Sequence, residues 1–179
     1  MQALKYKGNY SDKRLTMPRT PEEKIDFEKY AKYAQILEKT KWAEEFSWHH
    51  IRKICHYIHP VMAKKGAVIF KEGDKEETFG IIVKGSIDIL KQGEEENRKV
   101  ATLQSSQTFG EMALLDGEPR SATGIAAEDS VIFFISKKNL MDIANDHPKL
   151  GFQMIWKISK SLSRHLRNTT GKLVDYMGN

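Results

Sequence analysis

The chain has 179 residues, 40% of them hydrophobic and 30% charged, and a formal net charge of +5. That length buries one good core and would cramp two full domains. Its single cysteine, Cys55, excludes an internal disulfide and fits a reducing cytoplasm, while apolar runs such as Val131 to Ile135 are far too short to cross a bilayer, so a soluble cytoplasmic protein is expected.

In chain order, residues 1–19 are polar, carry Lys5, Lys7, Lys13, Arg14 and Arg19, and show no periodicity, which predicts a flexible basic arm. More positive charge lies near the C-terminus, and this spread argues against one large nucleic-acid face. Residues 20–58 read as N-terminal helices. Thr20, Pro21 and Glu23 form a capping-box start, and Ile25, Phe27, Tyr30, Tyr33 and Ile36 recur at roughly helical spacing, which predicts a helix to about Phe46. Ser47 then caps a second, shorter helix carrying Trp48, Ile51, Ile54 and Ile58.

Residues 59–179 read as a β-roll followed by C-terminal helices, the whole of 20–179 forming one globular unit. From Val61 to Ile135 the pattern is short β-branched runs between charged, glycine-containing turns: Ala67 to Phe70, Phe79 to Val83, Ser86 to Leu90, Val100 to Leu103 and Val131 to Ile135. Gly73, Gly85 and Gly93 stand where tight reversals call for positive φ. Leu140, Met141 and Ile143 mark a short helix, and Pro148 opens a much longer one reaching about Tyr176. The predicted class is α+β: an antiparallel β-roll flanked by N-terminal helices and a long C-terminal helix.

The segment Phe109 to Thr123, FGEMALLDGEPRSAT, fits neither strand alternation nor ordinary loop composition. Gly110 permits close backbone approach, and Glu111 to Leu115 can form a short helix whose first amides face an oxyanion. Arg120 adds a planar, two-pronged donor matched to two phosphate oxygens. Glu111, beside a site built for negative charge, is suited to accept from sugar hydroxyls.

These residues closely resemble the phosphate-binding cassette of the cyclic nucleotide-binding domain family. The likeness extends over about Phe46 to Tyr176, with GDKEETFGIIVKGSIDIL before the cassette and SKKNLMDIANDHPKL after it resembling the bacterial catabolite-activator branch. Protein kinase A regulatory subunits belong to the same family. The resemblance implies a β-roll of the double-stranded β-helix type, a 3′,5′-cyclic mononucleotide as ligand and a long helix acting as lid. It implies Arg120 on the cyclic phosphate, Glu111 on the ribose 2′-hydroxyl, and backbone amides near Met112, Ala113, Ser121 and Ala122 on the phosphate oxygens. Ile89 and Val100 would flank the base, and Thr169 and Thr170 would reach it from the final helix. That helix is one turn longer from Pro148 than in the catabolite-activator branch, which leaves Arg164 or His165 as alternatives. Ser121 follows the arginine where cyclic-GMP-selective members typically carry threonine, so cyclic AMP is the expected ligand and cyclic GMP the alternative.

Other chemistries find less support. His49, His50, His56 and His59 cluster in sequence, with His56 and His59 a helical i, i+3 pair, but no carboxylate or cysteine set completes a metal site, and the predicted strands carry no histidine. Neither a hydrolytic constellation nor a nucleoside triphosphate loop is present, so no catalytic residue, metal or cofactor is expected and the chain is read as a sensor rather than an enzyme. With only three residues after Tyr176, direct DNA binding through a following helix-turn-helix is not expected. The runner-up is a nucleotide-free module that uses the fold to dock a partner. An unidentified protein effector is implied in either case. Ile155, Ile158, Leu162, Leu166, Thr169, Leu173 and Tyr176 lie near coiled-coil spacing, which suits either a homodimer through the C-terminal helix or packing back onto the same domain.

Overall fold

The computed structural model describes residues 27–93 and 96–177. The expected arm, the capping box at Thr20 to Glu23 and Ile25 lie outside them.

The roll consists of two four-stranded antiparallel sheets, ordered β1-β8-β3-β6 and β2-β7-β4-β5. Its strands are β1 (His59–Ala63), β2 (Val68–Phe70), β3 (Thr78–Lys84), β4 (Ser86–Lys91), β5 (Arg98–Gln104), β6 (Thr108–Phe109), β7 (Thr123–Ala126) and β8 (Ser130–Ser136). The unbroken apolar run in β8 has a structural cause: its sheet is covered on both faces. Ile132 and Phe134 pack inside the roll with Phe70, Ile82, Ile87 and Phe109, whereas Phe133 and Ile135 pack with Phe79, Ile81 and the helices.

Those helices are α1 (Phe27–Glu38), α2 (Trp48–Cys55), α3 (Glu111–Asp116), α4 (Lys137–Asp146) and α5 (Pro148–Met177). The first ends earlier than the helix to Phe46 that periodicity predicts. At Thr40 the chain turns, with its hydroxyl donating to the Leu37 carbonyl at 2.6 Å, and a 3-10 turn follows at Ala43–Glu45. The break brings Trp42 against Phe79 and Phe46, with ring centroids 6.1 and 5.0 Å away, and buries both tryptophan and Phe46. Ser47 and Ser136 cap α2 and α4, accepting from the amides of His50 and Asn139.

Two further expectations are corrected. His59 opens β1, so one strand does contain a histidine, and it shares no helix with His56, which is the C-cap of α2. Pro60 is accommodated because β1 lies at a sheet edge. Gly73 and Gly85 adopt positive φ but Gly93 does not; a side chain there would instead press to within 2.7 Å of the Glu96 carbonyl.

The long α5 divides into two parts. Leu150, Met154 and Ile158 are buried against the domain, and Gly151 allows a close crossing with Ala144 of α4. Farther along, Leu166, Leu173 and Val174 are exposed. The predicted apolar stripe is thus split, with Ile158 serving the core, Leu162 half-buried, and Leu166, Thr169 and Leu173 facing outwards. Among the described residues, no helix is long and apolar enough to cross a membrane.

Candidate functional site

The site is assembled where the loop after β6 meets the segment before β7. Gly110, at φ 82°, is the N-cap of α3 and ends β6 in a left-handed conformation open chiefly to glycine. Space imposes the same choice, because a Cβ on Gly110 would lie 2.2 Å from Arg120 Nη1 and 2.3 Å from the Thr78 carbonyl. No side chain caps α3, and the Leu114 amide donates to the Gly110 carbonyl at 3.1 Å. The amides ahead of Leu114 therefore carry the uncompensated positive end of this short helix.

Arg120 is 3% exposed. The turn after β2 holds its backbone: the Gly73 amide donates to the Arg120 carbonyl at 2.8 Å, and the Arg120 amide donates to the Asp74 carbonyl at 2.9 Å. The guanidinium carbon stands 5.0 Å from the centroid of the Phe70 ring, and Nη2 donates to the Thr78 hydroxyl. Nε and Nη1, although buried, have no hydrogen-bond partner among the described residues. Burial pulls the arginine pKa down, opposed by the nearby carboxylates of Glu76, Asp74 and Glu111, none of which pairs directly with it. Two orphaned donors on a buried cation match the needs of an anion with two acceptor oxygens, since a desolvated charge without partners is costly.

Glu111, the first residue of α3, is 4% exposed. Its Oε1 accepts from Thr108 Oγ at 2.6 Å and from Ser161 Oγ of α5 at 3.1 Å. The carboxylate is consequently tied to the end of β6 and to the long helix, while the neighbouring guanidinium donates elsewhere.

The remaining candidates are unevenly distributed. Ala113 is buried in α3 beside exposed Met112; Ser121 is exposed and Ala122 half-buried beyond the arginine. The Ser121 carbonyl accepts from Lys91 Nζ at 2.7 Å, which links this edge of the cassette to β4. Ile89 on β4 packs against the inner core of the roll. Val100 is 50% exposed on β5, where the pairing shifts between Ile89 with Ala101 and Leu90 with Lys99, leaving it as the extra residue of a bulge. Thr169 and Thr170 lie apart on the exposed half of α5, their hydroxyls donating back to the carbonyls of His165 and Leu166. Arg164 is also exposed and His165 half-buried. Thr78, Phe70, Thr108 and Ser161 were absent from the sequence-based set, though each touches Arg120 or Glu111. Only Thr108, three positions before Glu111, was within reach of local reasoning. Among the described residues, no group of three or more histidine, cysteine or carboxylate side chains could hold a metal ion.

The β-roll thus carries a buried arginine, two of whose donors no described residue receives, beside a carboxylate held by two hydroxyls. Residues 60–147 match the family described as the cyclic nucleotide-binding domain. The cAMP-dependent protein kinase regulatory subunit of Eremothecium gossypii is 34% identical over 84 residues, covering 47% of this chain and 18% of that protein. Human cGMP-dependent protein kinase 2 is 30% identical over 101 residues, covering 55% of this chain and 13% of the kinase. The chain therefore spans under a fifth of the length of either relative. A cyclic nucleotide-binding domain from Methylobacillus flagellatus has the same fold, with a TM-score of 0.73 at 23% identity over 83% of this chain and 84% of the other.

Proposed function

We propose that this domain is a cytoplasmic sensor of a 3′,5′-cyclic mononucleotide, with cyclic AMP as its principal ligand and no catalytic role of its own. The observation that carries the reading is the pair of buried, unpartnered donors on Arg120. They match the two non-bridging oxygens of a cyclic phosphodiester, a singly charged group with more need of two fixed donors than of a second full charge. In this reading the backbone around Gly110, Met112, Ala113, Ser121 and Ala122 completes the anion shell, Glu111 accepts from the ribose 2′-hydroxyl, and Ile89 and Val100 lie beside the base.

Ser121 favours adenine, as does likeness to a cAMP-dependent regulatory subunit; likeness to a cGMP-dependent kinase keeps cyclic GMP as the alternative. We assign ligand binding to residues 59–179, with the helices of 20–58 and α5 as the parts that present the bound state to a protein effector. Thr169 and Thr170 reach the base in this scheme only if α5 bends towards the roll. Its exposed Leu166 and Leu173 keep the spacing of a helical seam and suit a second copy of the chain.

Ligand that binds only the folded state at a hundred times its dissociation constant adds about 2.7 kcal/mol of stability. A thermal-shift panel of cyclic AMP, cyclic GMP and cyclic dinucleotides is expected to respond to the mononucleotides, most strongly to cyclic AMP. No shift with any of them would favour the nucleotide-free docking module.

A further inference from the structure

Resting on the assignment of Glu111 to the sugar, we propose that Ser161 is a positioning residue for that carboxylate and links the docking of α5 to the grip on the 2′-hydroxyl. An ionised carboxylate offers two oxygens and about four acceptor sites. Both hydroxyl contacts go to one of them, Thr108 Oγ at 2.6 Å and Ser161 Oγ at 3.1 Å from Oε1. The two hydroxyls are themselves 3.1 Å apart, which closes a compact triangle around that oxygen. Oε2 accepts no hydrogen bond from the described residues and is left for a donor on the ligand. Terminal carboxylate torsions are broad, so the direction of Oε2 is set by what holds Oε1.

The two holders differ in origin. Thr108 is buried on β6, three residues before Glu111, and orients it whatever α5 does. Ser161 arrives from 50 residues away and contributes only while α5 is seated. Just before it, Lys157 and Lys160 pair with Glu45 of the 3-10 turn at 2.8 and 3.2 Å, and Ile158 is buried. Just after it, the described side chains from Ser163 to Gly171 are exposed apart from His165. Ser161 thus marks the boundary between the seated and projecting parts of the helix, and it is the residue there that touches the proposed sugar acceptor. Because linkage is reciprocal, a hydroxyl gripped more firmly when α5 is seated must also favour the seated helix.

The test is calorimetric titration of wild type, Ser161→Ala and Ser161→Thr with cyclic AMP and cyclic GMP, each alongside its 2′-deoxy counterpart. Ser161→Ala is expected to lose about three- to tenfold in affinity for the ribonucleotide that wild type binds and under about twofold for the deoxy analogue, with Ser161→Thr restoring the difference. Hydrogen exchange on wild type is expected to show stronger protection of residues 157–161 with the ribonucleotide than with the deoxy analogue at equal saturation. Equal losses for both sugars, or no loss for either, would overturn the role of Ser161 while leaving the proposed function intact. Failure of wild type to bind any of the four nucleotides would overturn the proposed function itself, and this inference with it.

Discussion

Phe133 on β8 and Arg120 before β7 are both almost completely buried, yet their surroundings differ in kind. Phe133 is enclosed by apolar neighbours from the helices and meets Tyr33 edge-on, with ring centroids 5.4 Å apart. Arg120 has one aromatic face, one hydroxyl partner and two donors that no described residue receives. The first environment is complete without a ligand. The second carries a desolvation cost that an arriving anion can offset, and the proposed function rests on that contrast.

The largest expected effect lies on the stability side. Phe133→Ala should cost about 3–5 kcal/mol in denaturant unfolding, through lost transfer free energy and the cavity left behind. Ligand preference among the molecules still folded should be unaltered, and a changed preference would blur the distinction.

On the binding side, Arg120→Ala should reduce cyclic AMP affinity by about 2–5 kcal/mol, or roughly thirty-fold to several thousand-fold, by calorimetry. The volume-conserving Arg120→Met sharpens the contrast: without ligand its unfolding midpoint should be no lower than wild type, because two orphaned donors disappear with the charge. A markedly less stable Arg120→Met protein would mean that the arginine serves the fold.

Glu111→Gln comes next, with an expected loss of about 1.5–3 kcal/mol for cyclic AMP and much less for its 2′-deoxy analogue. Equal losses would place the carboxylate somewhere other than on the sugar.

The smallest effect is one of pH. Burial holds the His59 imidazole below its ordinary value of 6.5, with Nε2 3.3 Å from the Asn139 amide nitrogen. The unfolded chain therefore binds the proton more readily, and stability should decline as pH falls through about 6.5, levelling off below the folded-state value. His59→Gln should flatten that slope in pH-dependent unfolding; an unchanged slope would assign it to other groups.

The sequence was most legible where a residue's role is local. β3, β4, β5 and β8 show themselves as β-branched runs, and Ser47 announces the helix it caps. β6 is two residues long, β7 contains Gly124 and β1 contains Pro60, so none carries enough strand signal to stand out. The early end of α1 was hidden because burying Trp42 against Phe79 is a tertiary gain that outweighs helical continuity. The cassette could be read from its contiguous pattern, including the glycine that the arginine's approach demands. Its supports could not: Thr78 meets Arg120 from 42 residues away and Ser161 meets Glu111 from 50, distances across which periodicity carries no information. Thr169 and Thr170, placed by resemblance alone, stand on the exposed part of α5.

The most direct measurement is a crystal structure of the chain with cyclic AMP bound. The account predicts Arg120 Nε and Nη1 each within about 3 Å of a phosphate oxygen. A nucleotide seated elsewhere, or density for the messenger with both donors still unengaged, would contradict it.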